Sequence, residues 1–129
     1  MDVPEKFSER DAVRLSETWL GTVFGRGLID REQYEAGVQF QGATWRAFGR
    51  PFAPAQGGTH GGDEAERDGA QRFALRCKQV LAACSRQTRD DVVNLCQYDR
   101  RPSLRPAEVA HIREGLDALA DMIGLKRVA

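Results

Sequence analysis

The 129-residue chain is 41% apolar and 29% charged, the balance of one globular domain able to bury its own core. Its longest apolar run falls far short of the ~20 residues of a membrane span. The acidic start Met1-Asp2-Val3-Pro4-Glu5-Lys6 lacks an apolar secretory segment, so a cytoplasmic protein without membrane contact is expected. An odd count of three cysteines fits reduced thiols in that compartment.

The first helix is expected to start at Ser8, with Asp11 in the capping-box position. Ala12, Leu15, Trp19 and Val23 recur at three- and four-residue steps, widened by Leu20 and Phe24, which predicts a core-facing helix of about five turns. Gly27 can take the left-handed conformation that closes it. Asp30 and Gln33 then form a reciprocal capping box for the next helix, and Ile29 and Tyr34 occupy the two positions of a hydrophobic staple. That helix runs from Arg31 to Phe48, with Tyr34, Val38, Gln41, Trp45 and Phe48 as its predicted inward seam. Gly37 and Gly42 lie near the seam, and Gly49 and Pro51 end the helix.

Residues 50–62 hold two prolines and four glycines and read as a flexible connector. No lysine follows the glycines in phosphate-loop spacing and no strand precedes them, so that chemistry is excluded. A third helix is expected from Asp63, with Phe73, Cys77, Val80, Leu81 and Cys84 as its stripe. Thr88 is the expected N-cap of a short fourth helix carrying Val92, Leu95 and Cys96 inward. The chain breaks at Arg100-Arg101-Pro102. Pro106 opens a fifth helix with Val109, Ile112, Leu116, Leu119 and Ile123 on one face, closed by Gly124. Alternating runs are missing, so the prediction is one all-α domain of about five helices: a hairpin (7–49), the Gly/Pro-rich connector (50–62) and a three-helix unit (63–125).

Candidate chemistry is sparse. Cys77 and Cys84 stand about 10 Å apart along one helix at 1.5 Å per residue, too far for a disulfide. No Cys-x-x-Cys or paired-histidine spacing suggests a metal, and all the cysteines fall on apolar faces, where a thiol is a small inert core group. His60 and His111 have no partner in register. The expectation is therefore a non-enzyme without cofactor or metal.

Charge is more informative. The formal net charge is zero, yet residues 1–71 carry 8 Lys/Arg against 12 Asp/Glu, while residues 72–105 carry 8 against 3. Arg72 and Arg76 share a helix face, Lys78, Arg86 and Arg89 follow, and Arg100, Arg101 and Arg105 surround the proline break. Eight cations on three helices suit a phosphate backbone. Solvated arginines paired with Asp90, Asp91 and Asp99 are the plain alternative, and a G+C-rich coding sequence also favours Arg.

Several segments add a resemblance. Gly25-Arg26-Gly27-Leu28-Ile29-Asp30-Arg31-Glu32-Gln33-Tyr34-Glu35-Ala36-Gly37, the helix containing Leu81-Ala82-Ala83-Cys84, and the late Gly115-Leu116-Asp117-Ala118-Leu119-Ala120 resemble segments of small phage-derived helical proteins of alphaproteobacteria. These include the C-terminal regions of GafA-type gene-transfer-agent activators and their stand-alone GafZ-like relatives, similar in role to phage Q-type antiterminators. The resemblance implies a transcription regulator whose partners are DNA and RNA polymerase. It carries over no functional residue, and the short Asp99–Arg105 turn stands where longer relatives have a segment like a helix-turn-helix. Two other readings stay open here: a ring-forming, small terminase-like DNA-packaging subunit, and a protein-only helical adaptor. The sequence leaves the oligomeric state undetermined.

Overall fold

The computed structural model describes residues 18–51 and 64–125. They form five helices and no strand: α1 (Trp19–Gly25), α2 (Arg31–Phe48), α3 (Glu64–Cys84), α4 (Arg86–Cys96) and α5 (Pro106–Ile123). The expected all-α class with five helices is therefore what the described residues adopt. No helix of the described residues is long and apolar enough to cross a membrane.

The turn between α1 and α2 follows its local chemistry. Gly27, at φ +74°, lets its own amide donate to the Phe24 carbonyl at 2.9 Å and the Leu28 amide to the Val23 carbonyl at 3.2 Å. Asp30 and Gln33 exchange side-chain-to-amide bonds of 2.7 Å in both directions, completing the capping box. Ile29 and Tyr34 are both buried, and the Tyr34 ring stacks on Phe24 with centroids 4.4 Å apart. Tertiary contacts then fasten the turn to α5. The Gln33 amide donates to Asp117 Oδ1 at 2.9 Å, and Arg113 Nε donates to the Leu28 carbonyl at 2.6 Å.

Three expectations need correction. Ser8 and the first part of the proposed five-turn helix lie outside the described residues, but Thr18 is extended (φ −125°, ψ 154°) and caps α1 through the Gly21 amide at 3.0 Å. A helix continuous through Thr18 is thus excluded. On α2 the inward seam keeps Tyr34 and Gln41 of the expected one but is otherwise turned: Ala36, Phe40, Ala43, Thr44 and Ala47 are buried, whereas Phe48 is 48% exposed and Val38 and Trp45 are half-buried. Small residues allow α3 and α5 to approach that face closely. A methyl at Gly37 would meet Leu20 at 2.9 Å and Leu116 at 3.3 Å, while one at Gly42 meets nothing within 4 Å. The third correction concerns α4, capped by Ser85 rather than Thr88. Ser85 Oγ accepts the Thr88 amide at 2.9 Å, leaving Thr88 inside the first turn with its side chain buried.

One core spans the five helices. Leu20 and Val23 of α1, Phe40 of α2, Leu81 of α3, Val92 and Leu95 of α4 and Leu116 and Leu119 of α5 belong to the same buried cluster. The expected hairpin and three-helix unit therefore share their interior, with α2 packed on both α3 and α5. A smaller alanine-lined seam (Ala43, Ala47, Ala70, Ala74) completes the contact of α2 with α3. The connector from residue 52 to 63, and the expected C-terminal cations Lys126 and Arg127, lie outside the described residues.

Candidate nucleic-acid interface

Two of the cations expected from the sequence, Arg100 and Arg101, lie on the segment 97–101 that joins α4 towards α5. Two non-glycine residues of this connection, Asp99 (φ 47°) and Leu104 (φ 61°), sit in the left-handed region. Such conformations are costly for a side-chain-bearing residue and persist only where surrounding contacts over-determine them. Those contacts are present. The Trp19 amide donates to Asp99 Oδ1 at 2.9 Å, the Arg100 amide to the Asn94 carbonyl at 2.9 Å and the Leu104 amide to Glu108 Oε1 at 2.8 Å. From α2, Gln41 Nε2 donates to the Cys96 carbonyl and Trp45 Nε1 to the Gln97 carbonyl, each at 2.9 Å. The backbone of the segment is thus held by α1 and α2 at once, and Leu104 beyond it by α5.

Cations lie on aromatic rings in this segment and on the helices around it. Arg100 lies 5.3 Å from the Tyr98 centroid, Arg101 5.5 Å from Trp19, Arg50 4.9 Å from Trp45, and the Lys78 ammonium 5.3 Å from Phe48. Tyr98 and Lys78 also line an open groove of about 670 Å³ between α3 and α4, together with Leu75, Val93, Arg89 and the Asp90 carboxylate. Burial first, and the Arg89 guanidinium second, push the Lys78 ammonium below its usual range. On the other side, Arg26 and Arg101 flank a cleft of about 520 Å³ floored by Trp19, Val23 and Leu104.

Of the eight cations singled out in the sequence, Lys78, Arg89, Arg100 and Arg101 are brought to this region. Arg72, Arg76 and Arg86 are exposed on α3 and the first turn of α4 and line neither cavity, and Arg105 is the exposed N-cap of α5. The expected single patch is therefore divided. In exchange the fold recruits Arg26 and Arg50 from the half of the chain that is acidic overall. Among the described residues, Arg89 alone of these cations has a carboxylate in ion-pair range, Asp90 at 3.3 Å. The other carboxylates expected as partners are engaged elsewhere. Asp91 faces His111 at 2.9 Å and accepts from Gln87 at 2.9 Å, and Asp99 accepts the Trp19 amide.

Comparison with protein-family models, curated proteins and solved structures finds no match.

The rest of the chemistry is structural. Cys77 and Cys96 are fully buried free thiols. Desolvation pushes Cys77 up to about 12 and Cys96 above the usual thiol range, which removes the thiolate a nucleophile requires. Half-buried Cys84 is raised by the same cause, with the Glu114 charge adding to it. Among the described residues no group of three or more His, Cys, Asp or Glu side chains is placed to hold a metal ion. The aromatic members of the site escape a reading by periodicity because Trp45 and Phe48 continue a helical apolar spacing and read as core. The available signal was the adjacency of rings and cations, Tyr98 two residues before Arg100 and Phe48 two before Arg50.

Proposed function

We propose that this chain is a cytoplasmic transcription regulator of phage or gene-transfer-agent type, an antiterminator that binds nucleic acid and RNA polymerase to permit read-through of terminators. One observation carries the nucleic-acid half of this reading. A strained segment carries Arg100 and Arg101, with Lys78 and Arg89 in the groove on one side and Arg26 in the cleft on the other, and among the described residues only Arg89 of these has a carboxylate in ion-pair range. Guanidinium groups without a carboxylate keep their donors free for phosphate oxygens, and a backbone already held in place lowers the ordering cost of binding. The polymerase half rests on the resemblance of the Gly25–Gly37, Leu81–Cys84 and Gly115–Ala120 segments to the gene-transfer-agent activators and their relatives.

The test is a pull-down with RNA polymerase together with a run-off assay across a terminator, comparing wild type with the Arg100→Ala/Arg101→Ala double variant. Retention on polymerase and read-through that falls in the variant are expected. No retention and unchanged read-through remove the proposal.

A further inference from the structure

The shape of the cationic face distinguishes between the two forms of nucleic acid. In recognition of a duplex, a helix or a two-stranded ribbon carries the reading side chains into the major groove. Here Arg100 and Arg101 lie on an irregular segment tied to α1 and α2, and Lys78 and Arg89 line a concavity between two helices. A duplex is a convex cylinder with its bases stacked inside, and it meets a concave groove only at the rim. A single strand can lower unstacked bases into it.

The rings reinforce the distinction. Among the described residues the large apolar side chains that remain exposed are Phe48 (48%), Leu75 (47%) and Tyr98 (41%). Tyr98 and Leu75 line the α3/α4 groove, whereas Phe48 is outside its lining, with the Lys78 ammonium over its ring. Exposed aromatics add nothing to a purely phosphate-directed surface, whereas they are stacking platforms for the π-faces of bases. Cations over these rings are the arrangement a single strand requires, since the same guanidinium that covers a ring can swing to the phosphate when a base takes its place.

We propose that the α3/α4 groove takes single-stranded nucleic acid, a base stacked on the exposed Tyr98 ring that lines it and the sugar-phosphate chain following Lys78, Arg89 and Arg100. This rests on the nucleic-acid-binding reading above and narrows its ligand.

The experiment is fluorescence anisotropy of the full chain with labelled oligothymidine, oligouridine, and oligothymidine annealed to oligoadenosine, at several salt concentrations. Single strands are expected to bind about tenfold or more tighter than the duplex at equal salt, and the tighter of the two assigns DNA or RNA. Tyr98→Ala weakens single-strand binding about 5- to 150-fold with little change in salt slope, while Tyr98→Phe, which keeps the ring, retains most of it. Lys78→Ala/Arg100→Ala lowers the slope by about 0.7 for each phosphate that is no longer neutralised. Because Tyr98 is exposed, its variants keep the wild-type thermal transition. Equal or tighter duplex binding, or a Tyr98→Ala chain that binds like wild type, overturns the single-strand inference and leaves nucleic-acid binding standing. Binding to none of the probes overturns both, even when the chain is retained on RNA polymerase.

Discussion

Gly115 is the point where α3, α4 and α5 come closest, and adding one methyl there measures how tightly they are packed. An alanine Cβ at that position would stand 2.6 Å from Val92 Cγ2 and 2.9 Å from both Leu81 Cδ2 and Thr88 Cγ2. Carbon pairs prefer about 3.5–4.0 Å, so three contacts are compressed by more than half an ångström. None of the three neighbours has room, since all are fully buried. Val92 is β-branched within a helix and stiff at χ1, and the Thr88 hydroxyl is held by Ser85 at 2.9 Å. Overpacking of this kind costs about 1–3 kcal/mol. The better helix propensity of Ala returns up to about 1 kcal/mol. The stiff neighbours place the cost near the upper end, so Gly115→Ala is expected to destabilise by about 1–2 kcal/mol. Gly42→Ala is the internal control, because nothing lies within 4 Å of its Cβ position and only the propensity gain of about 1 kcal/mol remains. Urea unfolding followed by circular dichroism and tryptophan fluorescence reads both variants, with the denaturant slope unchanged. A Gly115→Ala midpoint at or above wild type would refute the packing described here, as would a lowered midpoint for Gly42→Ala.

Asp30→Ala removes the acceptor of the Gln33 amide and is expected to cost about 1 kcal/mol, with Asp30→Asn close to wild type in the same denaturation assay. Cys77, pushed up to about 12 from 9.0, stays protonated in the folded chain while the unfolded chain ionises. Its contribution is therefore fully present below pH 9 and is lost as pH rises towards about 12, and Cys77→Ala should flatten that alkaline limb; an unchanged limb contradicts the assignment. A thiol reagent at neutral pH should reach half-buried Cys84 first and the buried Cys77 and Cys96 only on unfolding, so rapid titration of more than one native thiol counts against this core. Arg100→Ala/Arg101→Ala should reduce the salt slope of nucleic-acid binding by more than Arg72→Ala/Arg76→Ala, since only the first pair belongs to the 97–101 segment; the reverse order relocates the interface to α3.

The candidate site was half legible. Arg100 and Arg101 beside a proline are visible in the sequence as exposed cations, because no apolar period includes them. Arg26 and Arg50 were not, since they belong to a segment whose charge is negative overall and reach the site only when α1 and α2 fold onto it. Phe48 reads as core by spacing, yet it is the last residue of α2, where the Gly49 terminus turns the chain away and the ring stays half exposed under Lys78.

What the sequence by itself determined lies within about five residues of each determining group: the glycine turn at Gly27, the Asp30–Gln33 box, Pro106 at the start of α5 and the close at Gly124. Caps are short-range hydrogen bonds, so the residue types and their spacing suffice to place them. Tertiary structure decided which face of α2 is buried, that Ser85 rather than Thr88 caps α4, and that Asp99 and Leu104 are held at positive φ. The buried face of α2 and the hold on Asp99 depend on partners more than 50 residues away along the chain, such as Cys96 for Gln41, Gln97 for Trp45 and Trp19 for Asp99. Helical periodicity specifies an apolar stripe, whereas the volume offered by the opposing helices selects the side chains within it that are covered.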